Sequence, residues 1–162
     1  MVQYMSFRGT VIAVEDFNTG EFGAGCSKMI SLRNDEGVLT NFILTPDTFV
    51  LDQSMLMVGD IVTGYYDANK PAILIYPPQF TALVMVKEMN NRSVKVSHFN
   101  RQLVSDDHQL QINIGPRTSI ITTNGQAISD HIGNRDLVVV YGPSTKSIPA
   151  QTTPYQIIVL CN

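Results

Sequence analysis

The chain has 162 residues, of which 44% are hydrophobic and 15% charged, a balance that excludes a solvated disordered polymer. Its formal net charge is −3 and its Lys and Arg are scattered singly, so it offers no electrostatic footprint for a phosphate backbone. Its two cysteines, Cys26 and Cys161, exclude a disulfide framework, and no apolar run approaches the ~18–20 residues that span a bilayer.

From the N-terminus, Met1–Arg8 lacks a charged start followed by an apolar run, so no signal peptide is expected and the cytoplasm is the expected compartment. Period-2 alternation, β-branched residues and turn punctuation then dominate, and no window carries a helical face; the expected class is all-β. Strands are expected near Phe7–Val14, Met29–Arg33, Val38–Leu44, Ile61–Tyr66 and Phe80–Val86. A second set follows near Val94–Phe99, Gln109–Ile114, Ser119–Thr122, Asp136–Tyr141 and Tyr155–Leu160.

The connections carry their own signals. Glu15–Lys28 contains Gly20, Gly23 and Gly25, but Gly25 is followed by Cys26-Ser27 rather than Lys-Ser/Thr. The residues after it alternate as a strand, so no helix N-terminus is available for an anion and a surface loop is expected. Asn34-Asp-Glu-Gly37 predicts a hairpin turn, with Gly37 supplying the positive φ. Leu51–Val58 is too short for much helix, and Lys87–Arg92 is a polar linker. Asn124-Gly125 predicts a type I′ turn.

The second set of strands echoes the first. Asn41–Thr48 (NFILTPDT) parallels Gln111–Thr118 (QINIGPRT) at an offset of 70. Gly59 and Gly133, Tyr66 and Tyr141, Lys70 and Lys146, and Pro78 and Pro154 continue the series, the offset growing to 76. A repeat of this length predicts an internal duplication into two units, 1–88 and 89–162. Phe42 and Leu44, matched to Ile112 and Ile114, give both units one inward face. On the same count Thr81–Met85 matches Ile157–Cys161, a last strand apolar on both faces. Five strands with a coiled segment between the third and fourth predict two tandem OB-like five-stranded β-barrel repeats.

The loops between the fourth and fifth expected strands are the best-marked features of each unit. As a ligand-binding edge, they would use Lys70 and Lys146 to meet an anionic group, with Tyr65, Tyr66, Tyr76 and Tyr141 as contact area. As a brace, Pro71, Pro77, Pro78, Pro149 and Pro154 would hold a long crossover extended, with the tyrosines covering its underside.

No motif for catalysis, metal or cofactor is legible. Asp67-Ala-Asn69 starts like a calcium loop but has Ala72 where Gly is required and Pro78 where Glu is required. Asp106-Asp107-His108 is expected to be a solvated turn whose adjacent side chains point apart. His98 and His131 stand without a Ser, Cys or carboxylate motif. Single-strand binders of the OB type place aromatics and basic residues on the second and third strands. Here only Arg33 and Phe42 stand there in the first unit, and Gln109–Ile114 has neither type, which argues against a nucleic-acid partner.

Tyr66–Gln79 (YDANKPAILIYPPQ) and Ser144–Pro154 (STKSIPAQTTP) resemble an uncharacterised family of Gram-positive bacteria, and the resemblance covers nearly the whole chain. In some of its relatives this region looks to be joined to a copper amine oxidase N-terminal-like stalk domain in exported proteins, which implies an envelope role. The family carries no established activity. The leading expectation is a non-enzymatic binding or structural accessory module for a protein or cell-envelope component, without membrane insertion and compatible with homo-oligomers. The alternatives are an OB-type single-stranded nucleic-acid binder and an enzyme with a site at the repeat junction.

Overall fold

Pairing with two strands along its 13 residues makes β1 (Tyr4–Asp16) the spine of the first unit. The structure, a computed structural model, describes residues 1–161 and divides the chain into two compact units, Met1–Glu88 and Met89–Asn162. The fold is all-β; at Leu51–Gln53 the chain makes one tight turn, closed by Ser54 N–H to the Leu51 carbonyl, with Asp52 and Gln53 at positive φ.

In the first unit, β1 pairs antiparallel with β2 (Lys28–Arg33) along one half and with β5 (Ile61–Asp67) along the other. A register shift between Val11 and Ala13 lets so long a strand bend between its two partners. β2 pairs antiparallel with β3 (Leu39–Leu44), and β3 runs parallel to β6 (Gln79–Thr81). β7 (Val84–Lys87) pairs antiparallel with β5 and parallel with the short β4 (Phe49–Val50). Only Ala82 and Leu83 separate β6 from β7. The expected single strand Phe80–Val86 is therefore two short strands with different partners, and the pairings run in a circuit, β1–β2–β3–β6/β7–β5–β1. Val11, Ile30, Leu32, Phe42, Val62, Ala82 and Met85 fill the space it encloses.

Gly64 on β5 makes room for that core, because a Cβ there would lie 2.6 Å from the Phe42 ring. The hairpin between β2 and β3 turns where expected. Asn34 Oδ1 accepts the N–H groups of Glu36 and Val38, and Gly37 takes φ +81°.

In the second unit, β8 (Ser93–Phe99) pairs antiparallel with β11 (Arg135–Tyr141), and β11 with β13 (Gln156–Leu160). β13 runs parallel to β10 (Ser119–Thr122), and β9 (Leu110–Ile112) parallel to β12 (Ala150–Thr152). Bridges Phe99–Ser105 and Val104–Gln111 stand where the first unit has β2. The core here is Phe99, Leu110, Ile112, Ile132, Leu137, Val139, Ile157 and Val159.

The same set of bonds recurs in both units. Thr48 Oγ1 accepts the Thr45 N–H at 3.1 Å and donates to the Ala82 carbonyl at 2.7 Å. Thr118 Oγ1 accepts the Gly115 N–H at 3.1 Å and donates to the Pro154 carbonyl at 2.8 Å. Leu83 N–H bonds the Tyr65 carbonyl, and Tyr155 N–H the Val140 carbonyl, both at 2.8 Å. A cis proline precedes each of the two strands concerned, at Tyr76–Pro77 and Ile148–Pro149.

These bonds correct the sequence register. Pro154 stands where Ala82 stands, so the last strands correspond at an offset of 72 rather than 76. The match Pro78–Pro154 lapses with it. The positive φ of Gly59 (97°) is taken up by Asn134 (56°) rather than by Gly133, asparagine being the non-glycine residue best suited to it. Ile114 is 47% exposed and belongs to no inward face. Gly125 alone of the pair Asn124-Gly125 has positive φ, so that turn is a three-residue loop closed by Thr122 N–H to the Gln126 carbonyl. Both faces of the closing strands are buried: Val84 and Val86 as well as Met85, and Ile158 as well as Ile157 and Val159.

Candidate functional site

The loop between β5 and β6, residues 68–78, is rooted in the N-terminal segment. Ala68 N–H bonds the Gln3 carbonyl at 2.8 Å, and Asn69 Nδ2 donates to the Met1 carbonyl at 2.8 Å. Asp67 Oδ1 accepts the N–H groups of Asn69 (2.9 Å) and Gln3 (3.1 Å). Those two donors hold the Asp67 carboxyl below the usual carboxylate range, outweighing the upward push of burial. The Asp67-Ala-Asn69 stretch is thus a turn that caps its own backbone.

Beyond this root the chain forms one wall of a cleft of about 210 Å³. Lys70, Pro71 and Ile73 line the wall, Gln79 and Thr81 of β6 lie opposite, and Tyr66 and Phe80 contribute its aromatic surface. The two rings stack with centroids 3.8 Å apart, and Phe42 meets each at 6.1 Å. The loop tip is apolar and exposed: Ile73 68%, Leu74 100%, Ile75 48% and Tyr76 74%. Four consecutive apolar side chains in water are unusual on a polar surface.

Of the sequence-derived candidates, Tyr66 and Lys70 therefore share one cleft, and Tyr76 stands at the exposed end of the same loop. Tyr65 points away from them. It lies on the opposite face of β5, in a run where Val62–Tyr65 are buried on both faces, and offers no surface to a ligand. Tyr141 packs against the core of the second unit; burial raises its hydroxyl pKa, as does the Asp107 carboxylate, against a hydrogen bond with Ser93. Lys146 is exposed on the loop that precedes Ile148–Pro149.

The glycine-bearing segment between β1 and β2 closes on itself: Phe17 N–H bonds the Ser27 carbonyl, and Asp16 pairs with Lys28. Gly20 and Gly25 take positive φ there, as turn residues. In Asp106-Asp107-His108, Asp107 pairs with Lys95 and accepts from Ser105 Oγ.

One pair escaped the sequence. His98 Nδ1 lies 2.8 Å from Asp136 Oδ1, because the β8–β11 register sets the two residues opposite each other. A carboxylate so distant in sequence leaves no motif; only the strand register reveals it. The neighbouring Ser97 hydroxyl donates to the His98 carbonyl and accepts the Asp106 N–H, and the His98–Asp136 contact joins β8 to β11. His131 Nδ1 accepts the Gly133 N–H at 2.9 Å. Among the described residues no group of three His, Cys, Asp or Glu is placed to hold a metal ion, and no helix is long and apolar enough to cross a membrane.

No protein-family model matches the chain, and no curated protein matches it significantly.

Proposed function

We propose that the chain is a non-enzymatic partner-binding module built from two OB-type barrels that arose by internal duplication. The pairing circuit of the first unit supports the barrel reading, since a strand shared between β3 and β5 is how that fold closes. The bonds made by Thr48 and Thr118 to corresponding carbonyls support the duplication. The partner is a protein, with the cell envelope its first place to be sought on the family resemblance.

The observation that carries the function is the loop tip Ile73–Tyr76, exposed beside a cleft with a stacked aromatic surface. Leaving such a tip in water costs about 25 cal/mol per Å² of apolar surface, which a partner recovers by covering it. The deciding experiment immobilises the full chain and a Leu74→Ser/Tyr76→Ser variant and compares what each retains from envelope and soluble extracts of the source cell. The same polypeptide should be retained by the wild type and lost by the variant. Equal retention by both, or salt-sensitive micromolar binding of labelled single-stranded nucleic acid, would overturn the reading.

A further inference from the structure

The loops that precede β6 and β12 treat equivalent strand edges in opposite ways. In the second unit Thr145 closes over β12. Its N–H donates to the Gln151 carbonyl and its hydroxyl accepts the Gln151 N–H, both at 2.9 Å. Gln79 holds the same register in the first unit, opposite Asn41 as Gln151 is opposite Gln111.

Among the described residues nothing covers Gln79 in this way. In a parallel ladder alternate residues bond toward the neighbouring strand. Pro78 and Ala82 do so, through Asn41 N–H to the Pro78 carbonyl (2.8 Å) and Ala82 N–H to the Ile43 carbonyl (2.9 Å). The N–H and carbonyl of Gln79 and Thr81 therefore point to the other edge, where both residues line the cleft. Lys70 precedes Thr145 by the offset that separates Tyr66 from Tyr141, and so occupies the position of the closing residue. Its N–H is turned back to the Asp67 carbonyl at 3.2 Å, and its wall stands apart from Gln79. The longer loop of the first unit leaves open what the shorter loop of the second unit fills.

We propose that an extended segment of a partner protein adds to this edge as a strand, in the place that Thr145 takes in the second unit. This rests on the partner-binding reading and names the occupant. Backbone groups of Gln79 and Thr81 supply the pairing, the mode by which peptides extend an exposed sheet edge. The cleft, at about 210 Å³, is smaller than the ~300–1,000 Å³ typical of small-molecule sites and suits one apolar side chain laid on Tyr66 and Phe80. The Asp67 carboxylate is already held by two N–H groups, so the Lys70 ammonium is the group left to meet a carboxylate on the same segment.

The test selects random linear peptides displayed on phage against the full chain, then measures the affinity of enriched peptides made synthetically. Methylating alternate peptide nitrogens should weaken binding about tenfold at the positions that pair, the worth of one to two backbone hydrogen bonds, and leave the others unchanged. Gln79→Pro removes the outward N–H together with the side chain and fixes φ, and should weaken binding by a similar factor, whereas Gln79→Ala removes the side chain alone, keeps the N–H and should change little. Should Gln79→Pro fail to fold, the methylation series decides alone. Enriched peptides indifferent to both changes would overturn strand addition while leaving the partner-binding reading intact, since that reading is judged by Leu74 and Tyr76. Failure to enrich any peptide would overturn strand addition too. Enrichment of segments of this chain, with dimers forming on concentration, would assign the edge to a second copy and overturn the partner protein.

Discussion

Tyr66 and Phe80 lie face to face, ring centroids 3.8 Å apart and planes 11° from parallel, joining the end of β5 to β6 across the cleft. The stack both lines the cleft and forms the outer layer of the core around Phe42. Phe80→Ala should cost about 2–3 kcal/mol, below the full-burial value because the ring is only half-buried. The chain has no Trp, so tyrosine fluorescence in urea reports the loss.

Gly64→Ala and Gly142→Ala should differ sharply. A Cβ at Gly64 meets the Phe42 ring at 2.6 Å, and Phe42 is 0% exposed with nowhere to move. A Cβ at Gly142 would collide with the Tyr155 hydroxyl, but that ring is 54% exposed and can swing into water. Urea midpoints should show a loss of about 1–3 kcal/mol for the first and clearly less for the second. Equal losses would mean that the Tyr155 ring is fixed.

Thr48→Val and Thr118→Val each delete a hydroxyl that bonds two backbone groups while keeping the side chain's shape. Each should destabilise its unit by about 1–2 kcal/mol. Hydrogen exchange at Phe49 and Ser119, whose N–H groups bond the next carbonyls along, Leu83 and Tyr155, should accelerate in the matching variant.

Acid stability should depend on Asp107. Burial pushes its carboxyl up, but bonds from Lys95, Ser105 and the Gln109 N–H outweigh this and leave it below the ordinary value. A depressed folded pKa gives stability that is full above the unfolded value of about 3.9 and is lost as pH falls through the folded one. Asp107→Asn should therefore flatten the decline of the melting temperature below about pH 4. An unchanged acid limb would show that the Lys95 pair is not formed in solution.

Leu74→Ser should leave stability within about 0.5 kcal/mol of wild type, since the side chain is 100% exposed. Loss of partner retention without loss of stability separates a binding residue from a structural one.

The all-β class, the Gly37 turn and the inward Phe42 and Ile112 were legible because alternation and turn residues act through side-chain identity. The register of the closing strands was not. It is set by the Thr48 and Thr118 hydroxyls on the carbonyls of Ala82 and Pro154, and a carbonyl looks alike whatever residue bears it. Matching Pro78 with Pro154 by name led the count four residues astray. The site was half legible. Tyr66 and Lys70 were marked by composition, but Tyr65 differed from Tyr66 only in strand parity. The open edge at Gln79 could not be read at all, because it is visible only against the covered one at Gln151.

The strand that completes the first circuit, β6 with β7, is also the last of its unit to leave the ribosome. Until Lys87 has emerged, β3 and β5 each carry a row of unpaired N–H and carbonyl groups, and the growing chain is an open sheet with two free edges. The nascent first unit is thus vulnerable to wrong pairing for most of its synthesis. The two residues Ala82 and Leu83, by handing one strand from β3 to β5, end that exposure at both edges in a single step.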